Sequence, residues 1–119
     1  MKLVRAVALV VAVAISPGVV AHAFLDHATP AVGSQVRGSP PSVSLRFTEE
    51  LEPAFSSIKV FDAKGRQVDG ADTTADPKDR TTLKVSLQRL TPGTYRVVWR
   101  VLSIDTHVTE GKFGFTVLP

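Results

Sequence analysis

Cysteine is absent, and methionine occurs once, as Met1. The first absence excludes disulfide frameworks, thiolate metal sites, CxxC redox centres and cysteine nucleophiles. The second excludes a Met-rich metal site. GxSxG, HExxH, Walker and GxGxxG patterns are also missing, so the common signatures of hydrolases, zincins and nucleotide binders have no footing. No basic patch interleaved with aromatics is present, which argues against nucleic acid as a partner. What remains is 119 residues, 44% hydrophobic and 21% charged. That balance is globular, with enough chain for one core and too little for two.

The formal net charge of +3 needs correcting for the amino-terminal segment. Lys2 and Arg5 precede an apolar run from Ala6 to Ile15, too short to span a bilayer. Ser16-Pro17-Gly18 interrupts it, and the small residues Val19 to Ala23 flank His22. Residues 1–21 are therefore expected to be a secretory signal peptide and 22–119 the mature domain; the alternative is a short membrane anchor. Removing Lys2 and Arg5 leaves the mature domain near neutrality. Cleavage after Ala23 satisfies the small-residue rule as well as cleavage after Ala21 does, and the rule does not choose between them. A secreted domain without disulfides suits a bacterial periplasm or cell surface, where the core alone holds the fold.

The mature chain alternates with a period of two and has no sustained helical period. Val43, Leu45 and Phe47 share one face of a strand over 42–48. Strands are also expected over 23–29, 57–61, near Gln67-Val68, 82–87, 94–103 and 112–118, with 70–81 an exposed loop. Tyr95, Val97, Trp99 and Val101 form one buried face, as do Phe113, Phe115 and Val117. Seven short strands in this length predict an all-β fold, an antiparallel Greek-key β-sandwich. Leu90-Thr91-Pro92-Gly93-Thr94-Tyr95 fits a tight turn followed by a tyrosine corner.

Chemistry is confined to a few side chains. There are three histidines: His22, His27 and His107. If cleavage follows Ala21, His22 leads the mature chain. Its α-amine and Nδ1 then close a six-membered chelate ring on one metal ion, both nitrogens deprotonating readily when a metal competes. Asp105 and His107 are i, i+2 and would share a face in an extended segment. Amine, two imidazoles and a carboxylate make an N3O set suited to tetragonal Cu(II), which leads the Irving–Williams order. Zn(II) would bind the same set more weakly. Cu(I) prefers sulfur, and the mature chain contains none. Each element is common by chance: a DxH spacing is frequent, and a histidine at a strand end is usually just solvated.

In order and at their spacings, several segments resemble the CopC copper-resistance family. They are His22-Ala23-Phe24-Leu25 with Thr29-Pro30-Ala31-Val32-Gly33-Ser34, Leu45-Arg46-Phe47-Thr48-Glu49, and Leu90 to Trp99. The strongest is Ser103-Ile104-Asp105-Thr106-His107-Val108-Thr109-Glu110-Gly111-Lys112-Phe113-Gly114-Phe115, similar to Ser-x-Asp-x-His-x-x-x-Gly-x-Phe-x-Phe. The resemblance implies a periplasmic Cu(II) carrier whose ligands are the His22 amine and imidazole, Asp105 and His107. It thereby implies cleavage ahead of His22. Glu49 matches a family carboxylate near the site and is assigned to orienting a ligand or accepting from the amine; its alternative is a solvated strand end. His27 lies outside the family set. Members with a Met-rich Cu(I) loop carry it where this chain has Val60 to Val68, with Asp62, Lys64 and Arg66 and no Met.

The expected function is therefore non-enzymatic: a monomer that sequesters copper or passes it to a CopD-like inner-membrane protein, the last step being family analogy. Two other classes stay open on the residues. One is a histidine-brace monooxygenase, against which Asp105 would fill an equatorial position that such chemistry needs open. The other is an Ig-like interaction module with an incidental DxH and no tight metal.

Overall fold

The structure is a computed structural model that describes residues 23–119. The expected signal peptide, 1–21, and His22 lie outside the described residues. Eight strands are present: β1 (Leu25–Thr29), β2 (Gln35–Arg37), β3 (Ser42–Phe47), β4 (Ser57–Phe61), β5 (Thr74–Asp76), β6 (Asp79–Ser86), β7 (Gly93–Leu102) and β8 (Val108–Leu118). A 3-10 turn, Pro53–Phe55, precedes β4. Among the described residues no helix is long and apolar enough to cross a membrane.

The strands form two four-stranded sheets, ordered β1-β3-β6-β5 and β2-β8-β7-β4. β3 lies beside β6 in one sheet and β4 beside β7 in the other, while the β3–β4 and β6–β7 connections both cross between sheets. That is the interlocked arrangement expected of a Greek-key sandwich. Three details differ from the sequence reading. β2 is an unanticipated strand of three residues, and it runs parallel to the end of β8. The stretch 70–81 is not all loop: β5 and the start of β6 pair in a hairpin around Pro77-Lys78. Near Gln67 only an isolated bridge to Phe61 forms. Short polar segments bury little, so neighbouring strands rather than their own pattern decide whether they pair.

The core is built by the alternation itself. Val43, Leu45 and Phe47 of β3 and Leu83 and Val85 of β6 face Ile58, Val60, Val97, Val101, Phe115 and Val117 from the opposite sheet. Each fully buried Val, Leu, Ile or Phe contributes about 1.5–3 kcal/mol relative to exposure. The Tyr95 hydroxyl donates to the Thr91 carbonyl at 2.5 Å, closing the expected tyrosine corner. Trp99 is 8% exposed and meets Phe47 edge to face, with ring centroids 5.1 Å apart. Gly111 lies directly opposite Trp99 on β8, and a Cβ there would stand 2.2 Å from the indole Cζ2. Only a glycine leaves room for the indole at this register. This packing fixes the ends of β7 and β8 and hence the loop that joins them.

Candidate metal centre

The β7–β8 connection carries Asp105 and His107. Ser103 closes it: its N–H donates to the His107 carbonyl at 3.0 Å, and Thr106 N–H donates back to the Ser103 carbonyl at 2.9 Å. Thr106 adopts φ +70°, so the segment is a tight turn rather than the extended run the sequence suggested. The i, i+2 side chains still meet, but through the turn: His107 Nδ1 lies 3.2 Å from Asp105 Oδ1. Both side chains are partly exposed, while the His107 Nδ1 atom is buried on the side that faces Asp105.

Ser103 is the buried support of this pair. It is fully buried, and its backbone forms an isolated antiparallel bridge with Leu51 of the β3–β4 connection. Its hydroxyl donates to Asp105 Oδ1 and also contacts the His107 carbonyl at 3.2 Å and the His107 N–H at 3.3 Å. The Ser103 hydroxyl bond is the main cause that holds the Asp105 carboxyl below the usual carboxylate range; desolvation opposes it, and the His107 ring and N–H add to the lowering. The carboxylate is therefore ionised and pointed at neutral pH. Sequence reasoning quoted Ser103 only as part of a pattern; its position two residues before Asp105 is the signal that could have given it a role.

The start of the described chain is tied to the same place. Ala23 is fully buried, and its carbonyl accepts from Thr109 Oγ1 at 2.8 Å. Phe24 pairs with Thr48: Phe24 N–H donates to Thr48 Oγ1 at 3.0 Å, and Thr48 N–H donates to the Phe24 carbonyl at 2.9 Å. Glu49 follows in a half-buried bend, and the carbonyl of the next residue, Glu50, accepts from Ile104 N–H at 3.1 Å. The bend bearing Glu49 is thus bonded to the chain start on one side and to the 103–107 turn on the other. Thr48 and Thr109 stand in the sequence reading only as members of longer patterns; a single threonine carries no local signal of the bond it makes.

Other candidates are not gathered here. His27 is exposed on edge strand β1 opposite Arg46, with Nε2 3.5 Å from Thr29 Oγ1. Among the described residues no group of three or more His, Asp or Glu side chains is arranged to hold a metal ion. Asp105 and His107 therefore offer two donors, and a complete site requires others. In the Val60–Val68 segment, the Asp62 carboxylate accepts from the Lys64 and Arg66 N–H groups at 2.9 Å each, forming a polar turn without a soft ligand.

Comparison with known proteins gives a consistent picture. The model of the CopC domain matches residues 25–118. The crystal structure of CopC from Methylosinus trichosporium OB3b superposes with a TM-score of 0.78 at 40% identity, covering 82% of this chain and 95% of that one. PcoC, a methionine-rich copper resistance protein from Escherichia coli, gives a TM-score of 0.72 at 33% identity, with 82% and 99% covered. The copper transport protein CutJ of Bacillus subtilis is 30% identical over 98 residues, which span 82% of this chain but only 18% of that longer protein.

Proposed function

The chain belongs to the CopC family, and from that premise we propose that it is a periplasmic, non-enzymatic carrier of Cu(II). The ion is its cargo, held by the His22 amine and imidazole together with Asp105 and His107. Glu49 accepts from the amine or orients a ligand. The protein works as a monomer that sequesters copper or exchanges it with a CopD-like membrane protein. The match of this domain to part of the longer transport protein CutJ supports a working relation between such a domain and a transporter.

The observation that carries the reading is the convergence of segments. The Thr109 hydroxyl holds the Ala23 carbonyl, and Thr109 is two residues beyond His107, whose ring lies 3.2 Å from Asp105. Residue 22 is one peptide bond, about 3.8 Å between Cα atoms, from that anchor. An amino-terminal histidine there adds two nitrogens to the two donors the turn supplies. Two imidazoles, an amine and a carboxylate favour Cu(II), and a mature chain without sulfur has nothing to hold Cu(I) tightly. Buried Ser103 keeps the carboxylate ionised and aimed before the metal arrives.

The test is a competitive Cu(II) titration on the exported protein and on a form with one extra Met ahead of His22. The extra residue turns the His22 amine into an amide without altering any side chain. Affinity should collapse in the extended form. Equal affinity in the two forms would refute the amino-terminal chelate.

A further inference from the structure

Among the described residues five large apolar side chains are notably exposed: Phe24, Val32, Phe55, Ile104 and Val108. All but Val32 lie at the end of the sandwich that carries the 103–107 turn. Ile104 and Val108 flank Asp105 and His107 in sequence and are 51% and 47% exposed. Phe55 is 69% exposed at the close of the 3-10 turn. That turn is tied to the end of β7: Glu52 N–H donates to the Leu102 carbonyl at 2.8 Å, and Leu102 N–H donates to Ser56 Oγ at 3.0 Å. Apolar side chains scattered singly need no explanation, but a group gathered around one site marks a contact surface.

The net charge around this group is acidic. Glu49, Glu50 and Glu52 occupy the connection between β3 and the 3-10 turn, and Asp105 lies across from them. Two nearby cations are matched: Arg46 pairs with Asp26 at 3.1 Å and Arg100 with Glu110 at 2.9 Å. Lys78 and Arg80, at the β5–β6 hairpin, are exposed cations that alternate in the chain with Asp76 and Asp79, two of each sign. The excess at this end is acidic. An acidic face repels a second copy of itself and an anionic lipid surface.

We propose that this end is the docking face for a copper-exchanging membrane protein whose contact surface is apolar at its centre and carries Lys or Arg at its rim. The inference rests on the copper reading above and adds to it the surface and the chemistry of the partner. Phe55, Ile104 and Val108 form the apolar contact; Glu50 and Glu52 supply the steering charge. The group is small, as suits a brief encounter that must release its partner after each transfer. Contact at this end brings the partner's metal-binding groups against the Asp105–His107 turn, so the ion need not pass through bulk solvent.

The experiment places a photo-crosslinking residue at position 55, or at position 32 as an exposed apolar control, in the full exported chain in cells. Adducts are identified by mass spectrometry. Position 55 should trap an integral membrane copper-transport protein, and position 32 at most about a tenth as much. Glu50→Lys with Glu52→Lys should lower the position-55 yield about tenfold. The two crosslinking proteins without the charge reversal, purified, are titrated with Cu(II), where affinity should stay within about twofold of wild type because positions 55 and 32 are not ligands. Equal yields at 55 and 32, no adduct at 55, an adduct with a second copy or with lipid, or indifference to charge reversal would each overturn the docking face. Loss of tight Cu(II) binding in the otherwise unaltered chain would overturn the copper reading instead, so the two failures are separable.

Discussion

Ser103→Ala removes one oxygen that touches no metal and should nonetheless weaken copper binding. The hydroxyl is fully buried and serves both Asp105 and the His107 backbone. Its loss leaves the turn closed by Ser103 N–H on the His107 carbonyl and Thr106 N–H on the Ser103 carbonyl, so the fold should survive. The stability cost, from the lost backbone contacts of a buried hydroxyl, is about 1 kcal/mol, or roughly 4–8 °C in Tm for a domain of this size. The copper cost is larger. Asp105 loses the main bond that aims it and holds its carboxyl below the usual range. Removing such a support typically lowers metal affinity about 10–100-fold. The assay is a competitive Cu(II) titration on wild type, Ser103→Ala, Asp105→Asn and the double variant, with thermal unfolding alongside. If Ser103 acts through Asp105, the double variant binds like Asp105→Asn alone, because effects along one path do not add. Wild-type affinity in Ser103→Ala, or fully additive losses, would refute the reasoning.

Gly111→Ala should destabilise the protein by about 1–3 kcal/mol, since the new Cβ meets the Trp99 indole at 2.2 Å with Phe47 behind it. Gly114→Ala, whose nearest neighbour is the Tyr95 carbonyl at 3.4 Å, should leave Tm within a few degrees of wild type; matched losses in a thermal melt would mean the indole does not lie over Gly111. Asp72 and Asp79 have lowered pKa values because Ser86 N–H and the Thr81 hydroxyl, respectively, bond their carboxylates. Groups lowered in the folded state add stability above their unfolded pKa of about 4 and lose it as pH falls through the folded value. Unfolding midpoints should therefore decline only below about pH 4 from this source, and Asp79→Asn should flatten that decline; an unchanged acid limb would contradict it. His107→Ala should weaken Cu(II) binding more than Asp105→Ala, and His27→Ala should change little. A Cu(I) competition assay should detect no tight site; one that did would contradict the sulfur-free donor set.

Much of the fold was legible in the linear order because burial in a sandwich imposes a period of two, and β3, β4, β6, β7 and β8 carry that period over five or more residues. The tyrosine corner was legible for the same kind of reason: a Pro-Gly turn and an aromatic at fixed spacing act locally. The candidate donors Asp105 and His107 could be named from spacing, chemistry and resemblance. Their geometry could not, and the extended conformation inferred for them was wrong. The turn depends on Ser103 being buried against Leu51, a contact between residues 52 positions apart in the chain. β2 and β5 were missed because three-residue polar strands owe their pairing to whatever sheet edge lies beside them. Likewise, Thr48 and Thr109 each say nothing alone; only when the sheets close does one hold Phe24 and the other Ala23. Local periodicity is a property of consecutive residues and survives in the sequence. The bonds that gather the chain start, the Glu49 bend and the 103–107 turn join segments up to 86 residues apart, and folding alone brings them together.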